Sequence, residues 1–197
     1  VLITGGAGYL GSVMVKRFLE LGYEVTVVDS LMYKQSSLLD CCASQLFSIV
    51  RCDCRDVSAY RKEISRADVV IPLAAITGAP ACDRDKVAAK STNLDAIWDL
   101  CRNLSNRQFV IYPNTNSGYG AMEGETTECT EESPLNPISY YGQLKCDAEK
   151  IVMDREMSIT FRLATVFGAS QRMRLDLLVN DFVHRAVTDK FVVLFQS

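Results

Sequence analysis

Apolar and polar positions follow one another along the chain in two alternating patterns. Val1 to Thr4 is a short apolar run that ends in a cluster of glycines. Leu10, Val13, Met14, Arg17, Phe18 and Leu21 then keep helical spacing, and Gly22 follows as a helix-ending glycine. The pattern predicts further strands at Tyr23 to Val28, stopping at Asp29, and at Leu46 to Arg51, Asp68 to Leu73, Gln108 to Tyr112 and Ser158 to Leu163. It predicts a helix capped by Asp56 and running to about Ser65, and another over Lys86 to Leu104 through Val87, Leu94, Ile97, Trp98 and Cys101. A third spans Ile138 to Glu156, and the apolar positions from Leu175 to Ala186 are again helical. Near-continuous apolar strands separated by amphipathic helices imply a parallel sheet covered on both faces. Right-handed crossovers make it an α/β, doubly wound fold.

Composition narrows the classes. The chain has 197 residues, 48% hydrophobic and 23% charged, with 21 basic against 24 acidic side chains and a net charge of −3. That balance argues against nucleic acid as a main partner, and no apolar run reaches the ~18 residues of a membrane span. The polar stretch from Met122 to Pro137 reads as an exposed loop. Of the eight cysteines none forms a Cys-x-x-Cys pair, and His184 is the single histidine, so no metal is expected; reduced thiols and a cytoplasmic location are. Val1-Leu2-Ile3 already reads as a buried strand and the far end stops at an apolar run, so a piece of a longer chain is expected.

Gly5, Gly8 and Gly11 recur every third residue between the first strand and the first helix. Residues without Cβ let the backbone approach a pyrophosphate, and the helix start offers it unpaired N–H groups. Asp29 ends the second strand, where a carboxylate can accept from a ribose diol and repel a 2′-phosphate. Ser30 beside it is not basic, so NAD is expected rather than NADP. Tyr9 and Leu10 complete the loop. Asp53, with Cys54, follows the third strand and suits either an adenine contact or a turn cap, and small residues in Leu73-Ala74-Ala75 let backbone pass under a cofactor.

Tyr141 and Lys145 stand four apart on one predicted helix face. A nearby ammonium and a positive nicotinamide ring would stabilise the phenolate and turn a side chain of pKa near ~10 into a usable base. Thr115, after the fifth strand, could hydrogen-bond a substrate alcohol or satisfy its own loop.

Taken in order, these motifs resemble the extended short-chain dehydrogenase/reductase family, specifically the NAD-dependent nucleotide-sugar epimerases and dehydratases. The likeness runs over nearly the whole chain, through Gly5/Gly8/Gly11, Asp29, Leu73-Ala74-Ala75, Thr115 with Tyr119-Gly120, Tyr141/Lys145 and Arg162 to Gly168. It implies a Rossmann domain over residues 1–168 and the start of a small substrate lobe over 169–197. It assigns Thr115, Tyr141 and Lys145 to catalysis, with Lys145 on the nicotinamide ribose. Asn93 would support the cofactor region, and Ala164, Thr165 and Val166 would pass the nicotinamide and the sugar. Thr77, Asn116, Ser117, Arg174 and Asn180 would touch a nucleotide-diphosphate sugar. A homodimer through the helices at 86–104 and 138–156 is also implied.

Departures from the family pattern bear on the reaction. Pro72 stands near where a histidine is common, and Thr165 where 4-epimerases often carry Asn. Dehydratases of the family usually have two acids after the catalytic Thr; Asn116 and Ser117 occupy those places, though Glu123 or Glu125 could reach in. Epimerisation is therefore favoured: transient oxidation of a sugar hydroxyl with Tyr141 as base, then hydride return to the opposite face. A dehydratase, a keto-sugar reductase and a non-catalytic NAD-binding regulator are the alternatives.

Overall fold

A computed structural model describes residues 1–121 and 128–194. The stretch from 122 to 127, with Glu123 and Glu125, lies outside the described residues. In chain order the elements are β1 (Leu2–Thr4), α1 (Tyr9–Glu20), β2 (Val25–Asp29), β3 (Phe47–Arg51), α2 (Arg61–Arg66), β4 (Val69–Pro72), α3 (Ala79–Arg84), α4 (Lys86–Lys90), α5 (Ala96–Arg102), β5 (Phe109–Thr115), α6 (Tyr140–Met153), β6 (Ser158–Leu163) and α7 (Leu178–Thr188). All six strands are parallel, in the order β3-β2-β1-β4-β5-β6. The sheet is a Rossmann arrangement, and its order reverses between β1 and β4. Ligands of such sheets bind outside the carboxyl ends of the strands at that reversal.

Successive β1 residues point to opposite faces and seed two cores. Leu2 joins Val28, Val70, Tyr112 and the apolar side of α5 and α6; Ile3 joins Val15, Val25, Val27 and Ile71 under α1. Both faces of the central strands are therefore dry, which is why they read as unbroken apolar runs. Among the described residues no helix is long and apolar enough to cross a membrane.

The structure departs from the sequence-based elements in several places. The fifth strand runs on to Thr115, three residues past the expected end. Val110 donates to Met157 O of the β6 side, so the amides of Ile111 and Pro113 point the other way, where β4 pairs no further than Val110. The missing N–H of Pro113 thus breaks no ladder bond. The expected single helix over 86–104 is interrupted by a π-turn at Ser91–Asp95, which carries Asn93. Asp56 does cap, accepting from Ala59 N, but the first turn after it, Val57–Tyr60, is 3-10. Helix α3 and a 3-10 turn at Leu39–Ala43 were not anticipated.

Candidate active site

The glycine loop is shaped by what lies against it. Gly5 has φ +73°, and a Cβ there would fall 2.6 Å from Ala74 N. At Gly11 a Cβ would meet Gly5 O and Gly6 Cα, each at 2.6 Å. Gly8 caps α1 with extended backbone, and Tyr9 and Leu10 begin the helix. Gly6, which the three-residue spacing passes over, is required as well: its face lies on the Val27 side chain. The loop is closed by Asp29, whose carboxylate accepts from Ala7 N (3.0 Å) and Leu31 N (2.8 Å). A carboxylate oxygen has further lone pairs, so Asp29 can still accept from a diol. Ser30 follows it. A cradle filled by any added Cβ, closed by an acid at the end of β2, fits a dinucleotide.

Asp53 is differently engaged. Both its oxygens are taken by Arg55, through Nε (2.9 Å) and Nη2 (2.6 Å), and Arg55 reaches Ser91 Oγ. That guanidinium holds the Asp53 carboxyl below its usual range. An adenine contact would have to share the carboxylate with Arg55, which the sequence reading had not picked out. Beside it the Cys54 thiol is pushed up to about 12 by burial and the Asp53 charge, and it is inert as a nucleophile at neutral pH.

The loop after β4 joins the two halves of the site. Leu73 N bonds to Thr4 O and Ala74 packs under Gly5; Ala75 follows. Ile76 is held by Asn93, 1% exposed, which accepts from Ile76 N and donates to Ile76 O, both at 2.8 Å. Asn93 therefore supports this region through the loop backbone. Thr77 then accepts from Arg174 Nη1 at 3.0 Å.

Tyr141 sits in the first turn of α6, whose Ser139 cap accepts from Gly142 N. With Ile76 it packs against Cys82, Ala89 and Leu144. Thr115 is the last residue of β5 and caps the 3-10 turn at Asn116–Gly118. That turn lies hard against α6: a Cβ on Gly142 would meet Ser117 O at 2.9 Å, and one on Gly118 would meet Cys146 Sγ at 2.7 Å. Neither glycine was picked out from the sequence, yet their closeness brings Thr115 to the helix of Tyr141. The Thr115 hydroxyl donates to Ser117 Oγ and accepts from Ser117 N; Asn116 and Ser117 are both exposed.

Lys145, expected to stabilise the Tyr141 phenolate together with a bound nicotinamide, donates its Nζ to Pro113 O (3.2 Å) in the ligand-free chain and lies 4.0 Å over the Tyr112 ring. Burial drives its pKa down to about 7, against the pull of Glu149. Burial pushes the Tyr141 phenol up, Cys82 adds to this, and the opposing cation is Arg174. In the ligand-free chain the charge that favours phenolate thus comes from the 169–180 segment.

That segment is pinned to the glycine loop. Tyr9 Oη donates to Gly168 O, and Ser170 Oγ donates to Tyr9 O. Asn180, 5% exposed, donates to Tyr9 Oη and Arg174 O and accepts from Gly168 N. Both its amide hydrogens are taken, so Asn180, expected to touch the substrate, frames the site from within and keeps only a free lone pair on Oδ1 for a ligand. Ala164, Thr165 and Val166 leave β6 as exposed chain without regular structure.

Over residues 1–197 the chain matches the profile of the NAD dependent epimerase/dehydratase family. The chain belongs to this family. It is 28% identical to a UDP-glucose 4-epimerase of Lactobacillus helveticus over 179 residues, covering 86% of this chain and 52% of that protein. It is 31% identical to a probable dTDP-glucose 4,6-dehydratase of Sinorhizobium fredii over 164 residues, 76% of this chain and 47% of the other. A double mutant of DesIV, a dTDP-glucose 4,6-dehydratase of Streptomyces venezuelae with NAD bound, superposes with a TM-score of 0.82 at 25% identity, over 95% of this chain and 62% of that one. The chain spans about half the length of the curated relatives it matches.

Proposed function

We propose that the chain is the cofactor half, residues 1–168, and the first part of the substrate lobe, 169–197, of an NAD-dependent nucleotide-sugar epimerase. The loop over 73–77 carries the reading. At one end it backs the glycine cradle through Ala74 and Gly5; at the other it packs beside Tyr141 and bonds Arg174 through Thr77. One short backbone segment thus links a pyrophosphate site to an acid/base tyrosine.

Gly5, Gly8 and Gly11 would hold the pyrophosphate, Asp29 the ribose diol, and Lys145, once off Pro113 O, the second ribose. When bound, NAD supplies the hydride acceptor and donor. Tyr141 takes the proton from a sugar hydroxyl and returns it after the keto-sugar presents its other face, with the Thr115 hydroxyl swinging off Ser117 to bridge them. Arg174 lowers the cost of the phenolate. Epimerisation is favoured over dehydration because Asn116 and Ser117 follow Thr115 where a dehydratase carries acids, and neither can protonate a leaving hydroxyl. A homodimer through α4, α5 and α6 goes with this reading; Val87 and Trp98 are exposed apolar side chains there. A reducing, cytoplasmic compartment suits the buried thiols of Cys41, Cys82, Cys101 and Cys146.

The test is Tyr141→Phe, assayed with a panel of nucleotide sugars by chromatography of the products and by calorimetry with NAD. Turnover should vanish while NAD still binds; undiminished epimer formation would remove Tyr141 as the base. Loss of water from the sugar in the unmodified chain would identify a dehydratase, and net consumption of added NADH a reductase. Binding of NAD but of no nucleotide sugar would mark a regulator.

A further inference from the structure

Tyr141, Lys145 and Glu149 repeat every four residues on one face of α6, and the mechanism above uses only the first two. Glu149 is 7% exposed. Its carboxylate accepts from Arg162 Nη2 (2.6 Å) and Nε (3.0 Å) on β6, and from Asn114 Nδ2 on β5. Asn114 and Arg162 are register partners, one position before Thr115 and Leu163. A single carboxylate therefore joins α6 to both strands next to the catalytic threonine. Arg162 continues to Tyr119 Oη and Glu131 O in the segment after Thr115.

We propose that Glu149 is a positioning residue for the Tyr141–Lys145 pair: it clamps α6 to the ends of β5 and β6 and serves as the counter-charge of the buried Lys145 ammonium. This rests on the reading that Tyr141 and Lys145 carry the chemistry. Among the described residues Lys145 has one protein acceptor, Pro113 O, for its three protons. The titratable and charged groups around the pair are Tyr112 from β5, Arg162 from β6, Cys146 from α6, Cys82 from α3, Arg174 from beyond β6, and Cys101 of α5 behind Tyr112. Of these and Glu149, only Glu149 acts to hold the ammonium charged. Among the described residues the Tyr112 hydroxyl and Asn114 Oδ1 are buried without a partner, but both are neutral acceptors and carry no charge to replace that of Glu149.

The test reads the Lys145 titration directly, by NMR of the chain labelled with ε-13C lysine, without NAD or sugar. Lys145→Met assigns the resonance. In Glu149→Gln the midpoint should fall by about 1 unit or more, a tenfold loss of the protonated form at a given pH. That variant leaves Arg162 unpaired, which can itself repel Lys145 or destabilise the fold. Glu149→Gln with Arg162→Gln removes both charges, and the midpoint should still be lowered. A midpoint that stays at the unsubstituted value in the single variant, or returns to it in the double variant, would show that Glu149 serves Arg162 alone and overturn the proposal. Because no substrate is used, this outcome is independent of the Tyr141→Phe assay. That assay can fail while the Lys145 shift stands, and the reverse.

Discussion

Lys145→Met should flatten the pH dependence of stability of the ligand-free chain. In the unfolded chain the ammonium titrates near 10.5, whereas burial brings it to about 7 in the folded one. That is about 3.5 units, and at ~1.4 kcal/mol per unit the fully protonated, buried ammonium costs the fold about 5 kcal/mol. Between the two values the unfolded chain binds the proton and the folded chain does not, so stability rises with pH across that window. From pH 7, where Lys145 is half protonated, to pH 9 the gain is about 2 kcal/mol. Burial also raises Cys41, Cys52 and Cys54, and raised thiols pull the other way, costing stability as pH climbs past their unfolded value of 9.0. They are present in both chains and cancel in the difference. Urea unfolding at pH 7, 8 and 9, followed by circular dichroism, gives that difference directly. The unsubstituted chain should gain about 2 kcal/mol on Lys145→Met over this range. Parallel curves would mean that Lys145 is not held neutral by burial, and the reasoning about its need for Glu149 would fall with it.

Two further substitutions probe the scaffold. Gly11→Ala places a methyl 2.6 Å from Gly5 O and Gly6 Cα, both backbone, so the loop must shift; NAD affinity measured by calorimetry should fall at least tenfold. Gly22→Ala is the control, strained at φ +83° but in open space: a loss of about 1 kcal/mol in stability and no change in NAD affinity are expected. Equal NAD affinity in the Gly11 variant would refute the close-packed cradle. Asn93→Ala removes both 2.8 Å bonds to Ile76, leaving its N–H unmatched and its C=O with the weak Cys82 thiol donor alone, for a loss of about 1–3 kcal/mol in urea unfolding and faster hydrogen exchange at the Ile76 amide. Unchanged exchange there would show that the loop holds itself.

Much of this architecture is legible from short-range pattern. Six apolar runs, the glycine spacing before α1 and the bounds of β6 at Ser158–Leu163 all follow from preferences that a residue and its near neighbours share. So does the shared helix face of Tyr141 and Lys145, because 3.6 residues per turn is a local property. Where a segment's neighbours in space decide, sequence reasoning stops. Pro113 looks like a strand end until β4 is found to pair with β5 no further than Val110. The helix expected through Asn93 breaks into a π-turn where that side chain binds the backbone of Ile76, 17 residues back in the chain.

The candidate site divides in the same way. Residue types and spacing are enough to nominate Gly5, Gly8, Gly11, Asp29, Thr115, Tyr141 and Lys145. Their electrostatics are not in the spacing. Four residues along α6 puts Lys145 on the face of Tyr141, but its ammonium turns to Pro113 O, and the cation that acts on the phenol is Arg174, from beyond β6. Likewise nothing local pairs Glu149 with Asn114 and Arg162; that depends on β5 and β6 lying in register beneath α6. Periodicity is a property of the backbone and survives in any fold that buries the same face. Charge–charge contacts are set by which distant elements a sheet brings together, and they exist only once it has formed.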